Sequence, residues 1–257
     1  MSPSSTEQLN RCVSVVTAAT NLNSRILKSY EEIIQLSLPR WNTFVEKQKK
    51  KNRKNGQFFN PLTFFKIGET KHSFLLRFLL DPNAEHGQGD LFLASFLKEI
   101  GVEQLEHEKW IIYPCEYKRI DILLERTAPK PSVIIIENKS NDAVDRPNQL
   151  YRYWYRAIHT LYPHLDYSSE KTQNNFKVVY LPSGDHKKYE EQSIMRPEEE
   201  PSASLSNLPQ KLPLPIQTLT FKRFVVNWLH EITDKVPEQN IRLRTYLEFY
   251  KELCQSL

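Results

Sequence analysis

Charged side chains follow directly on a predicted strand in the middle of the chain. Residues 133–136 form an unbroken block of valine and isoleucine, which predicts a central strand covered on both faces. Glu137, Asn138 and Lys139 come next, with no turn residue between. Open α/β sheets keep their ligand sites where strands leave the core. The sequence therefore predicts a site with a carboxylate and an amine at this strand end.

A second predicted strand brings another carboxylate to the same place. Residues 119–125 have strand character, and the prolines in residues 127–132 mark a turn. The two strands are predicted to pair as an antiparallel hairpin. With the turn centred in that segment, Asp121 lies opposite either Ile136 or Glu137.

The chemistry of this hairpin depends on its register. Glu137 and Lys139 share a face because side chains alternate with a period of two, and in one register Asp121 joins them. Carboxylate oxygens are the hard ligands that Mg²⁺ and Mn²⁺ prefer, and a nearby lysine can act on water or phosphate. The alternative from these residues alone is a structural salt bridge, in which Lys139 only neutralises Glu137.

The arrangement resembles the PD-(D/E)xK nuclease superfamily. In that superfamily an aspartate on one strand and a (D/E)xK triplet on the next bind a divalent metal and cleave phosphodiester bonds. Asp121 matches the aspartate, although Ile120 precedes it where the family name has proline. Glu137, Asn138 and Lys139 match the triplet.

Flanking motifs extend the resemblance to residues 69–181. An E-x-x-H-S motif is present as Glu69, His72 and Ser73, and an HGQG motif occupies residues 86–89. Both are typical of one branch of the superfamily, found mostly in bacterial proteins. The resemblance implies an α/β fold with a restriction-endonuclease-like core, in which helices flank a central mixed β-sheet.

The resemblance also implies roles for individual residues. The expected ligands of Mg²⁺ or Mn²⁺ are Asp121, Glu137, the carbonyl of Asn138, and Glu69. The expected catalytic set is Asp121, Glu137, Lys139 and Gln149. In this set the lysine would orient or deprotonate water or balance the phosphate charge, and the glutamine would orient water or phosphate near the metal.

A run of basic residues lies upstream of these motifs. Its six members, here called the basic cluster, are Lys47, Lys49, Lys50, Lys51, Arg53 and Lys54. One interpretation is a solvated helix end whose lysines offset the helix dipole; the other, favoured beside a nuclease, is contact with phosphates. His72, His86, Arg152 and Tyr153 complete the expected nucleic-acid-binding set. For His86, hydrogen bonding that fixes its loop is the commoner role.

Composition excludes some classes of protein. The 257 residues carry 35 basic and 31 acidic side chains, so affinity for nucleic acid must come from local clusters. Three widely spaced cysteines suit neither a disulfide framework nor a zinc site and favour a cytoplasmic location. No apolar run has the length of a membrane span, so no membrane association is expected.

The chain is expected to divide into a helical segment, residues 1–60, and a nuclease-like domain, residues 61–257. Within the domain, residues 185–215 are polar and proline-rich and predict a surface loop. Apolar residues recur at helical spacing in the first segment, which predicts one long helix, or two broken near residues 21–23 or at Pro39. They are Leu9, Val13, Val16, Leu22, Ile26, Tyr30, Ile33 and Ile34. This stripe either covers the core or forms the seam of a homodimer.

Further elements follow from periodicity and from glycine and proline stops. Helices are predicted at residues 70–80, 90–100, 145–159, 221–232 and 242–257, and further strands at residues 110–115, 176–181 and 216–220.

The function favoured by these features is a divalent-metal-dependent nuclease. The residues themselves do not separate DNA from RNA, and the resemblance favours DNA. The alternative is a catalytically inactive nuclease-fold protein that binds nucleic acid or a protein partner. The complete set of Asp121, Glu137 and Lys139 argues against that alternative.

Overall fold

The computed structural model describes residues 5–56, 59–198 and 205–257, with side chains from residue 22 onward apart from residue 55, and at residues 13 and 14. The chain forms two compact units, Met1–Phe59 and Asn60–Leu257. Leu9 and Val16 of the predicted stripe lie outside the described side chains.

The first unit is a single helix, α1, Ser5–Asn55. It is continuous at Pro39, one of the places where a break was possible, and Thr43 Oγ1 donates a hydrogen bond to the Pro39 carbonyl at 2.9 Å. The helix ends before Gly56, whose positive φ of 61° suits glycine. Most of the described apolar side chains of α1, such as Tyr30 and Trp41, are exposed. The homodimer through this stripe stays a prediction.

The second unit is built on a five-stranded sheet. Its strands are β1 Lys109–Ile112, β2 Ile122–Ala128, β3 Ser132–Lys139, β4 Phe176–Pro182 and β5 Ile216–Thr218, and they lie in that order. The pairs β1–β2 and β2–β3 are antiparallel, whereas β3–β4 and β4–β5 are parallel. This mixed sheet, with helices on both faces, confirms the predicted α/β fold.

The register of β2 and β3 sets the position of Asp121. Ile122 pairs with Ile136, and the pairing continues through Leu123 and Ile135. Asp121 directly precedes β2 and therefore stands opposite Glu137. This is the register that brings both carboxylates to one face.

The helices of the second unit are α2 Glu69–Leu80, α3 Leu91–Glu99, α4 Gln149–Trp154, α5 Glu170–Asn175, α6 Glu191–Ile194, α7 Val226–Lys235 and α8 Ile241–Ser256. A π-helical turn, Tyr155–His159, continues α4, and another, Phe221–Val225, precedes α7. The helix predicted from residue 145 begins at Gln149 instead, since Pro147 restricts the residue before it and Asn148 is left-handed. None of the described helices combines the length and apolarity that a membrane crossing requires.

Two apolar clusters cover the two faces of the sheet. Ile134 and Ile136 of β3 pack on one face with side chains of α2, α3, α7 and α8. Val133 and Ile135 pack on the other face, chiefly with α4 and its π-helical turn. Because every residue of β3 is buried, the predicted central strand covered on both faces is confirmed.

The segment predicted as a surface loop, residues 185–215, also contributes to the second cluster. Leu205, Leu212 and Leu214 are buried in it. The Arg196 guanidinium donates to the carbonyls of residues 205, 206 and 208, which folds the segment back on itself. The expectation of a surface loop is therefore corrected for these leucines, because they pack into the apolar cluster on this face of the sheet.

Candidate active site

Alternation along β3 divides the triplet between two faces. Glu137 and Lys139 lie on the face of Val133 and Ile135, toward α4, whereas Asn138 lies on the opposite face, toward α2. Because Asp121 stands opposite Glu137, the two carboxyl groups lie close enough for each to influence the pKa of the other.

Glu137 is the centre of a short hydrogen-bonded network. Its Oε1 lies 2.7 Å from Nζ of Lys139 and accepts a hydrogen bond from Nε2 of Gln149 at 2.8 Å. The same amide nitrogen donates to the Tyr153 hydroxyl at 2.7 Å. Glu137 and Lys139 are 1% and 5% exposed, so this network is nearly removed from solvent. The structure thus brings together all four expected catalytic residues.

Two carboxylates and one ammonium group give this buried site a net negative charge. Burial, and then the charge of Asp121, raise the pKa of Glu137 to about 8. Burial also raises the pKa of Asp121. Burial alone would lower the pKa of Lys139, but the neighbouring carboxylates of Glu137, Glu69 and Asp145 together raise it. Burial and mutual repulsion therefore favour the protonated forms of the Asp121 and Glu137 carboxyl groups when no metal is bound.

Asn138 bonds the Asp121 carboxylate with its backbone and α2 with its side chain. Its backbone N–H donates to Oδ2 of Asp121 at 2.7 Å. Its side-chain Nδ2 donates to the Glu69 carbonyl at 2.7 Å and to Oγ of Ser73 at 2.9 Å, which ties α2 to the end of β3. The Asn138 side chain is thus engaged with α2, and metal ligation by its backbone carbonyl stays a prediction.

The donor set is suited to a hard divalent cation. Oε2 of Glu137 and Oε1 of Glu69 are buried oxygens without a hydrogen-bond partner in the described structure, an unfavourable state that an ion would relieve. Across the described residues, no three carboxylate, imidazole or thiolate side chains are arranged to hold an ion by themselves. Mg²⁺ commonly takes one or two carboxylates and keeps several waters, so Asp121 and Glu137 are a sufficient protein contribution.

Asp145 is a buried residue of the site that the sequence did not single out. Its Oδ1 lies 3.8 Å from Nζ of Lys139, and its carboxylate accepts from the Tyr180 hydroxyl and from the backbone N–H of Glu190. Lys139 therefore has two carboxylate neighbours. No spacing rule connects a loop aspartate to a strand lysine, so the sequence offered no signal for this contact.

Both histidines of the expected nucleic-acid-binding set have structural positions, which corrects that part of the prediction. His72 is fully buried, its Nδ1 lies 3.2 Å from the Tyr250 hydroxyl, and burial lowers its pKa to about 4. A neutral side chain enclosed in the core cannot contact substrate. His86 is 6% exposed and bonds the Asp81 carbonyl and the backbone N–H of Gln88 within its own loop. It fixes the glycine-bearing loop, the commoner of its two possible roles.

The remaining expected contacts lie in two places. Arg152 and Tyr153 are on α4 and line a pocket beside Gln149. The basic cluster occupies the last turns of α1 in the first unit, and all six of its side chains are exposed.

Fold and site together define an α/β protein with a buried acidic site at the end of two paired strands. A family model described as the PD-(D/E)XK nuclease superfamily matches residues 59–254. The chain belongs to this superfamily, as the strand motifs indicated. No curated protein and no solved structure gives a significant match.

Proposed function

We propose that this protein is a divalent-metal-dependent nuclease that hydrolyses phosphodiester bonds, with DNA preferred over RNA. The observation that carries the proposal is the placement of Asp121 opposite Glu137 at a buried strand end, beside a lysine 2.7 Å from Glu137. Burying two acids together is unfavourable for folding, and such arrangements are typical of sites selected for function.

The residues divide the chemistry among them. Asp121 and Glu137 would hold Mg²⁺ or Mn²⁺, with Glu69 and the carbonyl of Asn138 as further candidate ligands. The bound ion supplies charge stabilisation at the phosphate oxygens and lowers the pKa of water. Lys139, whose pKa is raised by its carboxylate neighbours although burial alone would lower it, is suited to orienting water or balancing phosphate charge rather than to removing a proton.

Gln149 and Tyr153 position groups around the reacting centre. The Gln149 amide bridges Glu137 and the Tyr153 hydroxyl, which fixes the Glu137 carboxylate in one orientation. Burial, followed by the charge of Glu137, raises the pKa of Tyr153, so its hydroxyl stays neutral and able to donate.

The proposal is tested by incubating the purified protein with labelled linear DNA, circular DNA and RNA. We expect cleavage with Mg²⁺ or Mn²⁺ and none with EDTA. The preference between DNA and RNA, and between ends and internal bonds, is measured in the same assay. Binding without cleavage under every metal condition would favour the inactive nucleic-acid-binding alternative.

The basic cluster is proposed to bind phosphates away from the cut. Replacing Lys49, Lys50 and Lys51 with glutamine should weaken binding to all sequences and flatten the dependence of log affinity on log salt by about one unit per lost phosphate contact. Fluorescence anisotropy at several salt concentrations measures both the affinity and its dependence on salt.

The matched control replaces three exposed lysines of the second unit, Lys98, Lys130 and Lys171, with glutamine. The control has the same net charge and should keep the wild-type slope. Equal slopes for wild type and the Lys49, Lys50 and Lys51 variant would show that the basic cluster is only a solvated helix end.

A further inference from the structure

A pocket lined by arginines lies next to the candidate active site. Its walls include Arg119, Arg146, Arg152 and Arg156, together with Gln149 and Tyr153. Among the described residues that line it, none carries a carboxylate. The pocket, here called the arginine pocket, therefore concentrates positive charge beside an acidic site.

One wall comes from the loop that leads into β2. Glu116, Lys118 and Arg119 have left-handed backbones, with φ of 64°, 55° and 65°. This conformation is unfavourable for residues other than glycine, so the surrounding structure must hold it. Part of that support is visible, because Nζ of Lys118 donates to the Arg156 carbonyl at 3.0 Å. The loop is thus bonded to the opposite wall.

The other wall is one face of α4 and the segment before it. Gln149, Arg152, Tyr153 and Arg156 are spaced by three or four residues, which places them on the same side of the helix. The backbone N–H of Arg146 donates to Oε1 of Gln149 at 3.2 Å, so the preceding segment follows the same face. The two walls place four guanidinium groups around a single concavity.

The arginine pocket and the acidic network share two residues. Gln149 donates to Glu137 and to Tyr153, and both Gln149 and Tyr153 line the pocket. A group held in the pocket is therefore separated from the carboxylates by one layer of side chains. A nucleic acid strand crossing the site would place a neighbouring phosphate there.

We infer that the arginine pocket binds a phosphate group of the nucleic acid strand next to the phosphate that is cut. This inference rests on the proposed nuclease function. Guanidinium groups bind phosphate oxygens in a planar, paired geometry and stay charged at all relevant pH values, whereas the acidic site next to them repels an anion unless a metal is present. The arginines therefore attract the phosphate, whereas the catalytic carboxylates without a metal repel it.

The phosphate can be an internal diester or the terminal group of a strand end, and the chemistry of binding is the same. The test uses labelled single-stranded DNA of one sequence with a 5′-phosphate, a 3′-phosphate or hydroxyls at both ends, bound in EDTA so that no cleavage occurs. Tighter binding of one phosphorylated form identifies a terminal phosphate. Equal binding of all three identifies an internal one.

The variants are Arg119→Gln, Arg146→Gln and their combination, since both side chains are exposed and their loss should not affect folding. The double variant should bind roughly tenfold more weakly, with a salt slope smaller by about one. Arg242→Gln, which removes an exposed charge at the start of α8, is the matched control for each single variant and should bind as wild type. Melting temperatures equal to wild type establish that each variant is folded.

The outcomes separate this inference from the proposed function. If wild type never cleaves but the double variant loses affinity, the arginine pocket stands as a phosphate site and the nuclease proposal fails. If wild type cleaves with metal but the double variant binds as tightly as wild type, the inference on the pocket is overturned alone. A loss of affinity in Arg242→Gln equal to that in the single variants also overturns it, since net charge would then account for the effect.

Discussion

Glu137→Gln is expected to abolish metal binding while leaving the metal-free protein at least as stable as wild type. The substitution keeps the shape of the side chain and removes one of two acids in contact. The Lys139 ammonium still has the Asp145 carboxylate 3.8 Å away, so the lysine charge is not left unpaired. In a structural salt bridge, by contrast, loss of one partner costs on the order of 3–5 kcal/mol.

The direction of the pH effect follows from the raised pKa of Glu137. A carboxyl with an ordinary pKa of 4.5 when unfolded and about 8 when folded stabilises the fold at low pH, and this contribution is lost as pH rises toward 8. Glutamine does not titrate. In EDTA, the stability of wild type relative to Glu137→Gln should therefore decrease as the pH rises from about 4.5 to 8.

Thermal unfolding with EDTA and with excess Mg²⁺ or Mn²⁺ measures both effects. Metal should raise the melting temperature of wild type and leave that of Glu137→Gln nearly unchanged. Glu85→Gln, at an exposed loop position, is the control and should respond to metal as wild type does. A Glu137→Gln protein that melts far below wild type, beside a wild type indifferent to metal, would favour the salt-bridge interpretation.

Arg126→Met is expected to destabilise the protein by about 3–5 kcal/mol, or to lower its melting temperature by roughly 10 °C. Arg126 is fully buried on β2, with its guanidinium 5.4 Å from the Trp110 ring. It donates to Oε1 of Glu108 and to the Glu103 carbonyl at 2.6 Å, and to Oδ1 of Asn175 at 2.5 Å. Its loss leaves several buried acceptors without a donor.

The control for this prediction is Lys130→Met. Lys130 is half exposed and lies 3.9 Å from Glu103, an exposed pair that should contribute less than about 1 kcal/mol. Chemical denaturation measures both variants. A change below about 1 kcal/mol in Arg126→Met would show that the buried network is not a stability determinant.

The strands that hold the site were predictable because their signals are local and strong. The unbroken block before Glu137 could only be buried, and a short proline turn limited the hairpin to two registers. Sequence alone could not choose between those registers, because either register places apolar residues on both buried faces of the sheet. The first strand was predicted too long, since it ends at Ile112, just before Tyr113 and Pro114.

The parts that were missed depend on contacts distant in sequence. His72 was assigned to the nucleic-acid-binding set from its motif, yet its ring lies in the core because Tyr250 of α8 and Phe221 pack against it. Arg119 has no periodic signal, because its position comes from a left-handed loop backbone. Arg156 did have a periodic signal, because it continues the helical spacing of Gln149, Arg152 and Tyr153.

The central claim is tested most directly by single-turnover cleavage of labelled DNA by wild type, Glu137→Gln and Lys139→Met across a range of Mg²⁺ concentrations. Saturating enzyme separates the chemical step from binding. The account predicts metal-dependent cleavage by wild type and rates lower by at least about 10²-fold in both variants, with no recovery at high Mg²⁺ in Glu137→Gln. Cleavage by Glu137→Gln at the wild-type rate would contradict the account and place the activity elsewhere.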